Sequence, residues 1–197
     1  MTADAARRSP LKADARWLGR ASTETLTLAE APFLTQLDIR ADPSVPGLLE
    51  KIGQAVGVAL PTTPNTVVGS ASLAALWLGP DQWLVVASDP AARGLSQRLG
   101  RAVVADGATL VDVSAGRTTI ELTGPRARRL LEAGCSLDLH PESFGIGACA
   151  QTLLGRVNVI LWQLTDEPRY RLLVRPSFAH HLAVWLVDAL EGLTGWT

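Results

Sequence analysis

Apolar residues recur along the chain in two rhythms. Four segments carry them at i, i+3, i+4 and i+7 or i+8, the spacing that gathers side chains on one face of an α-helix. This spacing predicts a helix over 44–56, with Val45, Leu48, Leu49, Ile52 and Val56 as its buried stripe and Gly57 as its stop. A second helix is expected from Asp89-Pro90, an N-cap with proline at the first helical position, presenting Ala92, Leu95 and Leu99 before Gly100. A third is expected from Gly124-Pro125, burying Ala127, Leu130, Leu131 and Cys135. The fourth starts at Pro176, sets Phe178, Leu182, Trp185, Leu186 and Leu190 on one side and stops at Gly192. Ala183, Val184 and Val187 make a second face apolar too, as in a helix covered on two sides.

Between the helices lie short β-like runs at 33–39, 74–79, 82–87, 117–123, 157–164 and 169–174. Gly79-Pro80-Asp81 and Asp166-Glu167-Pro168 read as turns that close hairpins. The order strand, helix, hairpin, helix occurs twice, and individual residues repeat with it. Leu76-Trp77 returns as Leu161-Trp162 after 85 residues, and Pro43 and Leu48-Leu49 return as Pro125 and Leu130-Leu131 after 82. The expected fold is α+β: duplicated strand-helix-hairpin-helix units with antiparallel sheets, packed as a pseudo-symmetric pair. The expected division is an N-terminal arm over 1–22, a first repeat over 23–109, a second over 110–193 and a tail over 194–197.

Composition narrows the function classes. With 18 basic and 19 acidic residues the chain has a formal charge of −1, which gives no reason to expect nucleic acid or an anionic membrane as partner. Only 19% of residues are charged, against about 25% in ordinary domains, which hints at a surface covered by something else. Two cysteines do not make a disulfide scaffold and suit a reducing compartment, so a cytoplasmic location is expected. Arg7-Arg8 is not followed by the apolar stretch of an export signal, and no run of 18 apolar residues exists to span a membrane. The first 20 residues hold five Arg or Lys against two Asp, together with Trp17, and read either as a solvated tail or as an arm that docks on a partner.

The segment LVDVSAGRTTIELTGPRARRLLEAGC (110–135) gathers the most reactive side chains. Asp112 and Ser114 lack an assignable His base, and there is no Gly-x-Ser-x-Gly elbow. The glycines form neither a Walker loop nor G-x-G-x-x-G. Arg126, Arg128 and Arg129 open a helix, where positive charge opposes the macrodipole unless solvent or an acidic group relieves it. Cys135, His140 and Cys149 lack the close pair that pre-forms half a zinc site, and adjacent His180 and His181 point about 100° apart around a helix. No catalytic, cofactor or metal residue is assigned. Trp77 and Trp162, recurring with the repeat, read as core, whereas Trp17, Trp83 and Trp196 have less chain to cover them and are interface candidates. The expected partner surface comprises Arg7, Arg8, Pro10, Leu11, Trp17, Trp83, Arg117, Val184 and Val187. Deleting residues 1–20 is expected to weaken assembly and leave the domain folded.

RSPL near the start, LWLGPDQWLVV, VDVSAGRTTIELTGPRARRLL and GCSLDLHPESFGIGACAQT together resemble the γ subunit family of heterotetrameric bacterial sarcosine oxidases. More distantly, 110–190 is similar to one repeat of the folate-binding aminomethyltransferase fold, through Gly124-Pro125, Ala127, Leu137-Asp138, Gly147 and the final Trp-Leu helix. The resemblance implies a complex with α, β and δ subunits that converts sarcosine to glycine, hydrogen peroxide and, with tetrahydrofolate, methylene-tetrahydrofolate. FAD, FMN, NAD, tetrahydrofolate and zinc would sit on the partner chains. In the wider family an acidic residue serves folate chemistry where this chain has Val157 and Asn158, neither of which ionises. The resemblance therefore implies a non-catalytic structural or assembly subunit, the alternative being a stand-alone folate-dependent one-carbon transferase.

Overall fold

The computed structural model describes residues 7–103 and 107–194. Its elements run α1 (Ala15–Ala21), β1 (Thr27–Glu30), β2 (Thr35–Arg40), α2 (Leu48–Val56), β3 (Val67–Gly69), β4 (Leu73–Gly79), β5 (Gln82–Ala87), α3 (Leu95–Val103) and β6 (Thr109–Asp112). The second half continues with β7 (Thr118–Thr123), α4 (Ala127–Glu132), β8 (Cys149–Leu154), β9 (Val157–Thr165), β10 (Arg169–Val174) and α5 (Pro176–Thr194). Trp196 lies outside the described residues.

The strands form two five-stranded antiparallel sheets, ordered β1-β7-β10-β9-β8 and β3-β4-β5-β2-β6. Each sheet is covered on both faces. In β5, Trp83, Val85 and Ala87 join a core with α2 and α3, while Leu84 and Val86 point the other way and meet Ile160, Trp162 and Leu173 of the opposite sheet. In β10, Tyr170, Leu172 and Val174 pack under α1, α4 and α5, and Leu173 faces the middle layer. Strict alternation of side-chain direction thus turns the unbroken apolar run QWLVVA into two buried faces. The layers are helix, sheet, sheet, helix, four where two would suffice for a small domain.

Two strands are exchanged between the halves. β1 precedes the first unit yet pairs with β7, Thr27 opposite Thr123, and β6 precedes the second unit yet pairs with β2, Leu37 opposite Asp112. At the far edge the sheets meet through a bridge between Thr66 and Ala148, with Val67 N donating to Gly147 O at 2.7 Å. Neither half completes its own sheet.

Several expected boundaries move. The first helix begins at Leu48, and Val45 stays 37% exposed in a turn closed by Asp42, which accepts from Ser44 N and Oγ. The second begins at Leu95, not at Asp89-Pro90, and continues through Gly100 to Val103. Its lone interior glycine costs only about 1 kcal/mol, less than the burial of Ala102 and Val103 restores. The last helix likewise runs past Gly192, and Phe178 in its first turn is exposed, not part of the stripe.

Residues of the expected arm are packed on the body. Leu11 is 0% and Leu18 1% exposed in the core under α5, Ser9 Oγ donates to Glu30 at 2.6 Å, and His180 Nδ1 lies 3.2 Å from Asp14. Burying each leucine is worth about 1.5–3 kcal/mol, more than a loose arm would contribute. The expectation that removing 1–20 leaves the domain folded is therefore corrected. The truncated chain should unfold at a urea midpoint well below that of the full chain, and an unchanged midpoint would refute this packing.

Candidate partner interface

The residues expected on a partner surface fall into two groups. Leu11, Trp83 and Val187 are corrected to the chain's own core, at 0%, 1% and 3% exposure. Trp83 follows its hairpin turn but alternates inward, where its indole N–H donates to Pro61 O at 2.7 Å. Val187, like Ala183, is covered because α5 lies on the sheet with α1 and α4 packed against it. The helix is indeed apolar on two faces, and its own neighbours cover both. Val184 is half-buried, and Trp17 is at the surface with 36% exposure.

The second group comes together across more than a hundred residues of sequence. Arg7, Arg8, Pro10 and Arg117 line one cleft of about 330 Å³ with Phe33, Ser114 and Pro176. Arg117 also lines an adjoining cleft of about 310 Å³ with Gln151, Thr152, Asn158 and Arg175 over the face of β8 and β9. The chain is brought here by the 3₁₀ turn Ser114–Gly116, which carries it from β6 in one sheet to β7 in the other. Asp112 accepts from Ser114 N at 2.9 Å and Ser114 Oγ at 2.6 Å, and Gln36 N donates to Ser114 Oγ at 2.9 Å. The serine is spent on holding this crossover, which removes Asp112 and Ser114 as a reactive pair. Arg117 is half-buried. Burial pushes its guanidinium pKa down, the charge of Asp38 opposes that, and the charge of Arg175 adds to it.

Phe33 and Arg175 were not among the expected residues. Phe33 reads as the start of a strand, but it adopts φ 61°, is 45% exposed and lies 4.7 Å under the Arg7 guanidinium. Nothing local announces that conformation in a bulky residue. Arg175 had a readable signal, a cation directly before the Pro176 helix start, where the macrodipole disfavours it.

The other chemical candidates sit apart. Arg128 Nε donates to the buried Tyr170 hydroxyl at 3.1 Å, so one cation at the start of α4 has a buried partner. Cys149 is buried with its thiol directed at Trp77 O (3.5 Å) and Thr66 O (3.6 Å), and burial pushes it up to about 12 despite the hydrogen bond to Trp77. Cys135 is half-buried near Thr152, and His140 is exposed beside Glu142 at 3.9 Å. Val157 is buried in the helix-side core, and Asn158 opens to the second cleft.

Comparisons with known proteins agree with one another. Residues 40–191 match the family model described as "Sarcosine oxidase, gamma subunit family". The sarcosine oxidase subunit gamma of Corynebacterium sp. (strain P-1) is 38% identical over 187 residues, 94% of this chain and 90% of that protein. That of Arthrobacter sp. is 37% identical over 93% of this chain and 90% of its own length. A chain of the heterotetrameric sarcosine oxidase from Corynebacterium sp. U-96, in complex with pyrrole 2-carboxylate, superposes with a TM-score of 0.88 at 36% identity, covering 95% of this chain and 96% of that one. The glycine cleavage system aminomethyltransferase T from Bartonella henselae superposes over 87% of this chain and 48% of its own, with a TM-score of 0.64 at 14% identity, which establishes a shared fold alone. By sequence and by structure, this chain belongs to the sarcosine oxidase gamma subunit family.

Proposed function

We propose that this chain is a non-catalytic assembly subunit of a heterotetrameric sarcosine oxidase whose other members are an α, a β and a δ chain. The complex oxidises the N-methyl group of sarcosine, leaving glycine and hydrogen peroxide and passing the carbon to tetrahydrofolate. FAD, FMN, NAD, tetrahydrofolate and zinc belong to the partner chains. The observation that carries the reading is the similarity to gamma subunits over nearly the full length of both proteins. The second cleft supports it, since Asn158 and its neighbours Gln151, Thr152, Arg117 and Arg175 line it with amide, hydroxyl and cationic groups and no carboxylate. An amide cannot take up a proton from a reacting amine as a carboxylate does.

Among the described residues no helix is long and apolar enough to cross a membrane. Co-expression tests the proposal. This chain should co-purify with the three partner chains in a fixed ratio and raise the yield of the assembled complex. A chain that stays a monodisperse monomer in their presence would defeat it.

A further inference from the structure

We propose, on the basis of the subunit reading above, that the groove around Arg117 docks an acidic segment of a partner chain. Four arginines line its two adjoining clefts from three separate places: Arg7 and Arg8, before α1, line one, Arg175, just after β10, lines the other, and Arg117, just before β7, lines both. None of the four takes part in an ion pair among the described residues. Three arginines outside the groove do have an acid of this chain: Arg40 has Asp81 at 3.0 Å, and Arg169 and Arg171 share Glu121. The nearby Asp38, which accepts from Gln82 Nε2 at 2.7 Å, keeps its charge and offsets part of the positive potential at Arg117 without pairing with it.

Arg117 is half-buried with the like charge of Arg175 beside it and Asp38 as its partial offset, a balance that a further anion in the groove would improve, and planar guanidinium forks suit carboxylates. The first turn of α5, entered at Pro176, adds positive potential to the same groove. Phe33, exposed beneath Arg7, offers an apolar face beside the charges, so the fitting occupant carries an apolar or aromatic residue among its acids. A nucleic acid fits less well, because the rest of a chain with formal charge −1 must then be net acidic around a single basic groove.

The test is made in the assembled complex. Replacing Phe33 by a photoreactive phenylalanine analogue and irradiating should cross-link this chain to a partner peptide that carries at least two Asp or Glu within a few residues. Cross-links only to peptides without acidic residues, or none, would overturn the proposal. In parallel, the exposed pair is reversed, Arg7→Glu with Arg8→Glu, and affinity for the partner subcomplex is measured at several salt concentrations. Affinity should fall at least about tenfold with a shallower salt dependence. Arg101→Glu on α3, in the opposite layer, should leave it unchanged. Because Arg7 and Arg8 are exposed and Arg7 gives up only its stacking on Phe33, thermal melting should place the variant within a few degrees of the wild type. If the wild-type chain does not join the partner chains at all, the subunit reading falls and this proposal with it. If the wild type joins and the reversed chain joins equally well, only the docking groove is overturned. RNA binding that the reversal abolishes, with assembly unaffected, would likewise overturn it.

Discussion

Glu121→Gln should lower the stability of the dilute chain by about 3 kcal/mol, read as a fall in the urea midpoint followed by tryptophan fluorescence. Arg171, on β10, points between the two sheets at 5% exposure. Its Nε donates to Glu121 Oε1 at 2.7 Å, its NH1 group donates to Ala71 O of the opposite sheet's β3–β4 turn at 2.7 Å, and its guanidinium lies 5.2 Å from the Trp162 ring. Removing the charge of Glu121 leaves this cation desolvated and uncompensated, which is costly where burying the intact pair is close to neutral. Arg169 donates to the same carboxylate but is 37% exposed, so Arg169→Gln should cost less than about 1 kcal/mol. Equal losses from the two variants would show that the inter-sheet pair is not the buried anchor described here.

The same carboxyl makes the effect depend on pH. Burial pushes Glu121 up, but hydrogen bonds from Arg169 and Arg171, and their charges, outweigh it and hold the group below its ordinary value of 4.5. A carboxyl with a lowered folded value contributes stability that is complete above its unfolded value and is lost as pH falls through the folded one. The gap between wild type and Glu121→Gln should therefore be full at pH 7 and shrink below about pH 4.5. A gap that stayed constant to pH 3 would mean that the ionised form is not what Arg171 needs.

Gly155→Ala should cost about 2–4 kcal/mol. Gly155 and Arg156 close the β8–β9 hairpin with φ 53° and 68°, the paired left-handed geometry of a tight two-residue turn. A β-carbon on Gly155 would stand 2.6 Å from Cδ2 of the Trp185 indole, and one on Gly134 would overlap its Cζ2. The ring from α5 rests on the backbone of both glycines, which are themselves joined by Gly155 N donating to Gly134 O at 3.3 Å. Shrinking the ring should relieve this. In a Trp185→Leu background, Gly155→Ala should cost only the backbone preference, about 1–2 kcal/mol, and the double-mutant cycle isolates the contact. Additive effects would indicate that ring and glycine are not in contact.

Much of this architecture was legible in the chain. The 3.6-residue stripes located α2, α4 and α5, the apolar runs and turn residues located the hairpins β4–β5 and β9–β10, and the repeated Leu-Trp and Leu-Leu pairs revealed the duplication. The phrases that resemble gamma subunits pointed to the family that the model over residues 40–191 matches. What escaped were the short edge strands β1, β3 and β8, whose half-exposed residues leave no clear alternation, and helix α1, whose leucines Leu11 and Leu18 are too few to make a stripe.

Element type and family could be read from the chain alone, because periodicity, turn chemistry and short family-like phrases are properties of neighbouring residues. Packing alone set β1 and β6 in the other half's sheet, turned Trp83 and Val187 inward, and brought the cleft of Arg7 and Arg8 and that of Arg175 together at Arg117. Which face of a strand is buried, and which distant charges share one groove, depend on how sheets stack. Local spacing fixes that a strand has two faces, and only packing tells them apart.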